Sequence, residues 1–500
     1  MTHVAVVGGG ISGLAGAHRL RTLLGPSARI TLVDRADRLG GVLRTVELAG
    51  VAVDVGAEAF LARRPEVPAL LAELGLTEQL VHPSAAVAPS VRAGGRTVPL
   101  PGRTLLGVPS SASDLSALLS EAGLAKAAGE RDRPLRWSPG EDVAVGGLLR
   151  ARFGDEVADR LVDPLLSGVY AGRVDALGLR ATIPTLAAAL DAGAPSLTAA
   201  TDTLLPPSPP PRVIQCLQHS DSVPPARRFS HPGSPGPVFG ALRGGYRVLV
   251  DALRAASGVE QRLGLPVRGL ARRLDGWRLE IGTAVAPEAL DVDAVLLAVP
   301  APVLRKLLAD AAPSASRVAG AVELASPVVV ALAYRAEDAA TLPDTSGILI
   351  AADEPLYAKA FTHSARKWPH LAAEATDGLL RLRASLGRAG ESATLRVPDE
   401  ELVGRVRADL ETLTGVAAAP VSAHVQRWGG GLPQYGVGHG ELVAELERAV
   451  AEQPGLAVAG AVLHGVGVPA CIGTGRAAAE RLVAQLATRP GDSARVSVPK

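Results

Sequence analysis

Residues 3–13 read HVAVVGGGISG, and they indicate how the first part of the chain folds. The apolar run His3–Val7 predicts a short buried strand, and the three glycines after it predict a tight turn. Apolar residues then recur at helical spacing up to Gly25, which indicates a helix. The stretch Arg29–Val33 predicts a second strand, which is followed by the acidic residue Asp34. Strand, glycine turn, helix and strand in this order are typical of an α/β fold with a parallel sheet.

The glycines of the turn match the pattern G-x-G-x-x-G in the context that dinucleotide binding requires. Gly8 would permit the tight turn, Gly10 would let the backbone approach a pyrophosphate, and Gly13 would let helix and strand pack closely. The free N–H groups at the helix N-terminus would bind the phosphates. Asp34 would accept the ribose hydroxyls and would repel a 2′-phosphate. A plain strand–turn–helix unit without a ligand is the alternative.

Two further glycine-rich stretches indicate a cofactor longer than NAD. DRLGG at residues 37–41 would bring a second backbone segment close to the cofactor, with Arg38 available for its phosphates. Near the other end of the chain, LAVAG at 456–460 predicts a strand, GVGVP at 465–469 a loop, and Thr474 the start of a helix. The N-terminus of that helix would face the pyrimidine edge of a flavin, where negative charge develops on reduction. The sequence therefore favours FAD as the cofactor. The alternative is that Arg38 is a solvated side chain of a tight loop and that the second strand–helix turn is a coincidence.

The composition limits the class of protein. Of the 500 residues, 47% are hydrophobic, 51 are Lys or Arg and 50 are Asp or Glu, which gives a net charge of +1. This balance argues against nucleic acid as a partner and against strong attraction to an anionic membrane. Two cysteines do not make a disulfide framework, and the sequence has no apolar run of membrane-spanning length. We therefore expect a cytoplasmic protein whose membrane contact is at most peripheral.

The pattern of strands and helices predicts three parts. A Rossmann-like FAD-binding domain is assembled from the discontinuous segments 1–85, 240–302 and 425–488. Alternating apolar residues in 86–100 and 303–424 indicate an antiparallel-sheet substrate-binding domain. Segment 101–200 reads as a mainly helical insertion, with one helix over 115–124. The proline-rich segment 201–239 predicts a disordered loop, and 489–500 forms a tail.

Seven motifs in a fixed order carry a specific resemblance. The chain resembles the FAD-dependent porphyrinogen oxidases of haem synthesis, within the flavin amine oxidase superfamily, and is most similar to their bacterial coproporphyrinogen III oxidase branch. The motifs are GGGISGLA (8–15), DRLGG with Thr45 (37–45), GAEAFLARR (56–64), GDEVADRLVDPLLSGVYAG (154–172), RKWPH (366–370), RWGGGLPQYGVGH (427–439) and GVGVPACIGTGRAA (465–478).

The resemblance implies both the reaction and the cofactor site. Coproporphyrinogen III would lose six electrons in three two-electron steps to give coproporphyrin III, while oxygen is reduced to hydrogen peroxide. The flavin would carry the hydride chemistry, so no catalytic side chain is assigned. The resemblance places the cofactor contacts at Gly8, Gly9, Gly10, Ile11, Ser12, Gly13, Asp34, Arg38, Gly40, Gly41, Gly56, Ala57, Val267, Trp428, Val466, Gly467 and Val468. Asp34 stands where the family commonly has Glu, and Val42 where a basic residue is common.

The substrate implied by the resemblance has four propionates, and arginine or lysine would bind them. The candidates are Arg63, Arg64, Arg173 and Lys359, with Tyr170 stacking on a pyrrole ring; solvated surface cations and a core tyrosine are the alternatives. His363 and His370 lack the further ligands of a metal site, so we expect none.

Three other functions stay open at this stage. Protoporphyrinogen IX oxidation is the same chemistry on a less polar substrate. A flavin amine oxidase would usually cage its amine with aromatic rings, yet the sequence has no Phe, Trp or Tyr after Tyr435. A non-catalytic FAD-binding protein is the third. The expected partners are the porphyrinogen, molecular oxygen and a ferrochelatase that would receive the product.

Overall fold

The computed structural model describes residues 1–206, 237–374 and 378–488. The tail at 489–500 and most of the proline-rich segment at 201–239 lie outside these residues. The first residues of the expected loop are instead helical, because the helix Leu197–Leu204 extends into it.

A five-stranded parallel sheet forms the centre of the first domain. Its strands, in spatial order, are Glu260–Arg262, Arg29–Val33, His3–Val7, Ala294–Leu297 and Leu456–Val458. Along the central strand, Val4 and Val6 enter one hydrophobic cluster, while Ala5 and Val7 enter another on the opposite face. Burial on both faces explains why this strand reads as a continuous apolar run.

Helices cover one face of this sheet, namely Ile11–Leu24, Glu66–Glu73, Arg247–Ser257 and Val468–Ala487. The backbones of the first and last of these helices lie in contact. A Cβ at Gly475 would lie only 2.2 Å from the carbonyl oxygen of Ser12. This contact brings the helix that follows the first glycine turn beside the helix near the other end of the chain.

The opposite face is covered by a three-stranded antiparallel sheet and three helices. They are Val267–Arg273, Gly276–Thr283, Ala286–Val292, Ala301–Leu307, Pro313–Ala321 and His439–Ala451. The helices between residues 301 and 321 thus share the core of the parallel sheet. We therefore propose moving the expected domain border from residue 302 to residue 321.

A seven-stranded sheet builds the second domain. Its order is Ser422–Arg427, Val328–Arg335, Leu379–Leu386, Ala358–Thr362, Gly347–Ile350, Pro89–Ala93 and Arg96–Pro99. Neighbouring strands are antiparallel except for the parallel pair Gly347–Ile350 and Pro89–Ala93. The helix Asp399–Thr414 packs on it through Leu402, Val406 and Leu410. Because residues 425–427 belong to this sheet, the border expected at 425 lies better near 428.

The insertion between residues 101 and 200 is mainly helical. Its helices are Glu121–Ala128, Val145–Arg152, Asp155–Val157, the π-helical turn Ala158–Val162, Asp163–Tyr170, Leu179–Thr182 and Pro184–Asp191. The helix expected over 115–124 begins only at Glu121, because Ser120 caps it by accepting a hydrogen bond from the amide of Gly123.

Short elements complete the described chain. They are the strands Thr45–Leu48, Val51–Asp54, Phe60–Leu61, Leu80–Val81, Thr104–Leu105, Val108–Pro109, Phe239–Leu242, Leu324–Ala325 and Leu432–Pro433, with the helices Thr77–Gln79, Ser364–Lys367, Pro369–Glu374 and Ser392–Arg396. The predicted fold class, a Rossmann-like domain of discontinuous segments with an antiparallel-sheet domain and a helical insertion, is confirmed. Within the described residues, no helix is both long and apolar enough to cross a bilayer.

Candidate flavin and substrate site

Gly8 and Gly13 of the first glycine turn have no room for a larger residue. Gly8 has φ +105°, and a Cβ there would lie 2.2 Å from the carbonyl oxygen of Ala298. A Cβ at Gly13 would lie 1.9 Å from the carbonyl oxygen of Gly8. The chain therefore turns directly from the central strand into the helix Ile11–Leu24, close to the neighbouring strand's end.

Two helix N-termini are available for an anion. The helix Ile11–Leu24 starts at Gly10 and the helix Val468–Ala487 at Gly467; neither has a side-chain cap or an acidic residue in its first turn. The second helix begins six residues before the expected Thr474, with Pro469 in its first turn. A Cβ at Gly10 would meet just the Cα of Gly41, at 4.0 Å, among the described residues. Uncapped amides and open space at Gly10 fit the diphosphate of FAD.

The Asp34 carboxylate is fixed at the glycine turn. Its Oδ2 accepts the amide of Gly9 at 2.6 Å, and its Oδ1 accepts the amide of Ala36 at 2.7 Å. A carboxylate has about four acceptor positions, so capacity for ribose hydroxyls is left. The backbone of Asp34 also accepts the amide of Leu265, which places Val267, at the start of its strand, beside this turn.

The second glycine pair touches the first. The amide of Gly40 donates to the carbonyl of Gly9 at 2.8 Å, and a Cβ at Gly41 would lie 3.1 Å from the Cα of Gly10. Arg38 donates to the carbonyls of Leu39, Leu43 and Gly41. Arg38 therefore braces its own loop, and its contact with the cofactor phosphates stays a prediction of the sequence. Burial lowers the pKa of its guanidinium.

Residues 55–57 lie against the same loop. A Cβ at Gly56 would lie 1.8 Å from the carbonyl oxygen of Val42. The indole N–H of Trp428 donates to the carbonyl of Val55 at 2.9 Å, so Trp428 does lie beside Gly56 and Ala57. Cys471 is buried in the first turn of the helix Val468–Ala487, and burial raises the pKa of its thiol to about 11, which keeps it protonated.

A cavity of about 310 Å³ brings together two of the four cations that the sequence singled out. Arg173 and Lys359 both line it, and so does Arg388. Lys359 is only 4% exposed, and a β-bulge in its strand occurs at this residue. Bulges re-aim side chains, which accounts for an amine that enters the cavity from a strand. Burial, and then the charge of Arg388, lowers the pKa of Lys359 to about 7.

Two ion pairs frame this cavity. Arg388 lies 3.2 Å from Asp163, the first residue of the helix Asp163–Tyr170, and Arg173 lies 2.7 Å from Glu391. Burial lowers the pKa of Arg388 and raises that of Asp163. The sequence analysis did not identify Arg388 as a candidate cation. The one feature that could have pointed to it is its position two residues after the alternating strand Leu379–Leu386.

Tyr170 connects this region to the C-terminal glycine loop. Its ring centre lies 5.5 Å from that of Tyr435, which stacks on His439 at 3.9 Å. The hydroxyl of Tyr435 donates to the carbonyl of Ala461, upstream of Gly467. Tyr170 is 8% exposed, and burial raises its pKa to about 12. Its ring is therefore largely covered, and Tyr170 does not line the cavity of Lys359.

The other two candidate cations lie elsewhere. Arg63 and Arg64 are exposed, between the strand Phe60–Leu61 and the helix Glu66–Glu73, and Arg64 forms an ion pair with Glu66. Neither lines the cavity of Lys359. Within the described residues, no group of three His, Cys, Asp or Glu side chains could hold a metal ion.

Comparisons with known proteins agree with this geometry. The family model described as flavin containing amine oxidoreductase matches residues 11–483. The coproporphyrinogen III oxidase of Mycobacterium tuberculosis H37Rv is 46% identical over 487 residues, covering 96% of this chain and 98% of the relative. Protoporphyrinogen oxidase of Bos taurus is 29% identical, covering 96% and 98%. A crystal structure from Exiguobacterium sp. 255-15, provisionally named a protoporphyrinogen oxidase, superimposes with a TM-score of 0.80 at 27% identity, covering 97% and 99%.

Proposed function

The chain belongs to the flavin-containing amine oxidoreductase family and, within it, to the coproporphyrinogen III oxidases, and we propose that it oxidises coproporphyrinogen III to coproporphyrin III. The observation that carries this proposal is the cavity in which Lys359, Arg388 and Arg173 meet next to the helix that ends at Tyr170. A substrate with four propionates needs cations at its binding site. Lys359 and Arg388 are buried and would bind carboxylates more strongly than Arg173, whose side chain is 48% exposed.

FAD is the proposed cofactor, held by the two glycine turns, Asp34 and the segment containing Gly56 and Ala57. When bound, FAD would supply hydride acceptance and reoxidation by oxygen, so that one coproporphyrinogen III and three O2 would give one coproporphyrin III and three H2O2. The uncapped N-terminus at Gly467 favours negative charge next to it. Burial raises the pKa of Cys471 to about 11, so it stays a neutral thiol at physiological pH.

The protein's own residues bind and orient the substrate. Lys359 and Arg388 donate to propionate oxygens, while the covered ring of Tyr170 limits the space on the side of the flavin. Asp409 positions Lys359, because its Oδ2 accepts the amide of Ala358 at 2.7 Å, one residue before the bulge. We assign no general base, since the pyrrole protons can leave to water.

Protoporphyrinogen IX oxidation is the main alternative. That substrate carries two propionates instead of four, so it would use fewer of the cations around the cavity. The identity of 46% to a coproporphyrinogen III oxidase, against 29% to the bovine protoporphyrinogen oxidase, favours the tetracarboxylate. A cytoplasmic location, peripheral membrane contact and product transfer to a ferrochelatase stay predictions of the sequence.

The test compares substrates on the purified, flavin-loaded protein. Coproporphyrinogen III, protoporphyrinogen IX and putrescine are supplied separately, while porphyrin fluorescence and oxygen uptake are recorded together. We expect a larger kcat/KM on coproporphyrinogen III than on protoporphyrinogen IX, three O2 consumed per porphyrin, and no turnover of putrescine. A preference for protoporphyrinogen IX would favour the alternative, and turnover of the amine alone would overturn both.

A further inference from the structure

Three successive backbone carbonyls beside the flavin site receive hydrogen bonds from side chains of the antiparallel-sheet domain. Arg383 donates through Nη1 to the carbonyl of Asp54 at 2.8 Å and through Nη2 to that of Gly56 at 3.1 Å. Between them, Trp428 donates to the carbonyl of Val55 at 2.9 Å. Each bond fixes one peptide plane, so residues 54–56 cannot rotate without breaking at least one of them.

The next charged side chain of the segment is held by the same domain. The Glu58 carboxylate lies 2.9 Å from the amine of Lys367 and accepts the hydroxyl of Ser364, also at 2.9 Å. Although burial alone would raise the pKa of Glu58, the charges of Lys367 and Arg383 lower it to about 2. Glu58 is therefore ionised at physiological pH and stays paired.

On its other side the segment is tied to the nucleotide-binding domain. The Asp54 carboxylate accepts the hydroxyl of Thr45 at 2.6 Å and the amide of Tyr246 at 3.2 Å. Residues 54–58 thus form a bridge with bonds to both domains. Gly56 and Ala57, expected at the flavin, lie in the middle of this bridge.

We propose that Arg383 is a positioning residue for the flavin, which sets the peptide planes of Asp54 and Gly56 and thereby the surface that Gly56 and Ala57 offer to the cofactor. Its planar guanidinium spans two carbonyls at once, which the single amine of a lysine does not reproduce. The inference rests on the proposed function only in so far as FAD occupies the glycine turns.

A neighbouring arginine provides a matched control. Arg381 lies two residues earlier on the same strand and is 2% exposed. It donates to the carbonyls of Leu48 and Ala49, in the hairpin turn before the strand Val51–Asp54. Arg381→Lys therefore disturbs a buried arginine–carbonyl contact of the same kind, outside residues 54–58.

The experiment compares Arg383→Lys and Arg381→Lys with the parent protein. FAD is removed and titrated back while flavin fluorescence reports binding, and the visible flavin spectrum and midpoint potential are recorded for each loaded protein. For Arg383→Lys we expect the FAD dissociation constant to rise about 10- to 100-fold, the size of one charge-assisted hydrogen bond. The flavin band and potential should shift as well, while Arg381→Lys should leave all three near the parent values.

The possible outcomes separate the two proposals. Equal FAD affinity and spectra in both variants would overturn the positioning role, whereas a parent that takes up no flavin would overturn the proposed function itself. Thermal unfolding is recorded for both variants, so that a general loss of stability is recognised. Trp428→Phe removes the donor to Val55 and keeps an aromatic ring, although it also shortens a side chain that is expected at the cofactor. It should lower the affinity for FAD, as Arg383→Lys does, by about tenfold or less. An unchanged affinity would count against the view that the fixed carbonyls of residues 54–56 support FAD binding.

Discussion

Lys359→Met should raise the KM for coproporphyrinogen III and remove most of its pH dependence. Methionine keeps the length and apolar stem of lysine but carries no charge. In the proposed complex, the amine donates to a propionate from a cavity that it shares with Arg388. Loss of one charge-assisted hydrogen bond costs about 1.5–3 kcal/mol, so KM at pH 6 should rise about 10- to 150-fold. The value of kcat should change much less, because Lys359 is not expected to touch the reacting carbons.

The pH dependence follows from the lowered pKa of this amine. Burial and the charge of Arg388 place the pKa of Lys359 near about 7 in the free protein. Above that pH the free amine is neutral, and a carboxylate can bind strongly only after the amine takes up a proton. The parent KM should therefore increase up to about tenfold per pH unit above 7, until the pKa of the complex is reached. In Lys359→Met this slope should be absent.

Stability gives an independent readout of the same group. The pKa of Lys359 is lowered from 10.5 to about 7, so between these pH values the folded protein binds fewer protons than the unfolded one. The parent's stability should thus rise with pH in that window, relative to Lys359→Met, by at most about 1.4 kcal/mol per unit. Steady-state fluorescence assays at pH 6, 7, 8 and 9 and denaturation at pH 7 and 9 measure both effects. The exposed Lys306→Met is the control. An unchanged KM at pH 6, or an equal pH slope in Lys359→Met, would refute the reasoning.

Three further perturbations test the cofactor site and the core of the helical insertion. Gly56→Ala should yield protein without bound flavin, because its Cβ would lie 1.8 Å from a carbonyl oxygen. The control Gly147→Ala, where a Cβ would meet open space, should retain full flavin content. Yellow, flavin-loaded Gly56→Ala protein would contradict this. Asp34→Ala should weaken FAD about tenfold or more in a titration, and parent-like binding would show that the ribose does not use this carboxylate. Glu130→Gln leaves the buried Arg152 without its ionic partner, which lies 2.8 Å away. Chemical denaturation should therefore show the free energy of unfolding falling by about 3–5 kcal/mol, and a fall below about 1 kcal/mol would exclude a strong ion pair.

The parts of the fold that depend on local sequence could be predicted. The strand His3–Val7, the glycine turn and Asp34 lie within one short stretch, and the physical reasons for each residue are local. The helix Val468–Ala487 was predicted too late in the chain, because its first turn contains a proline after two glycines and reads as a loop. Proline is tolerated in a first helical turn, where its missing N–H would have no partner.

The substrate side could be predicted only in part, because it depends on contacts between distant segments. Arg64 ends the GAEAFLARR motif and was a candidate for binding a propionate, yet it pairs with Glu66 on the surface. Lys359 was identified as a cation, but nothing in its neighbours reveals the bulge that directs it inward. Arg388 and Arg383 find their partners 225 and 329 positions away in sequence, at Asp163 and Asp54. Spacing along the chain carries no signal for such pairs.

One strand connects the two halves of the proposed site. Within Leu379–Leu386, Arg383 pairs with Thr362 and Leu386 with Ala358, so this strand lies directly beside the one that carries Lys359. Arg383 donates toward residues 54–56 at the flavin, and Arg388, just past the strand's end, lines the cavity with Lys359. Side chains alternate between the faces of a strand, so a shift of register by one residue would move Arg383 away from its carbonyls. The same shift would displace Arg388 from Asp163. The register of this single strand therefore determines both where residues 54–56 are held and where the cations proposed to bind the substrate's carboxylates lie.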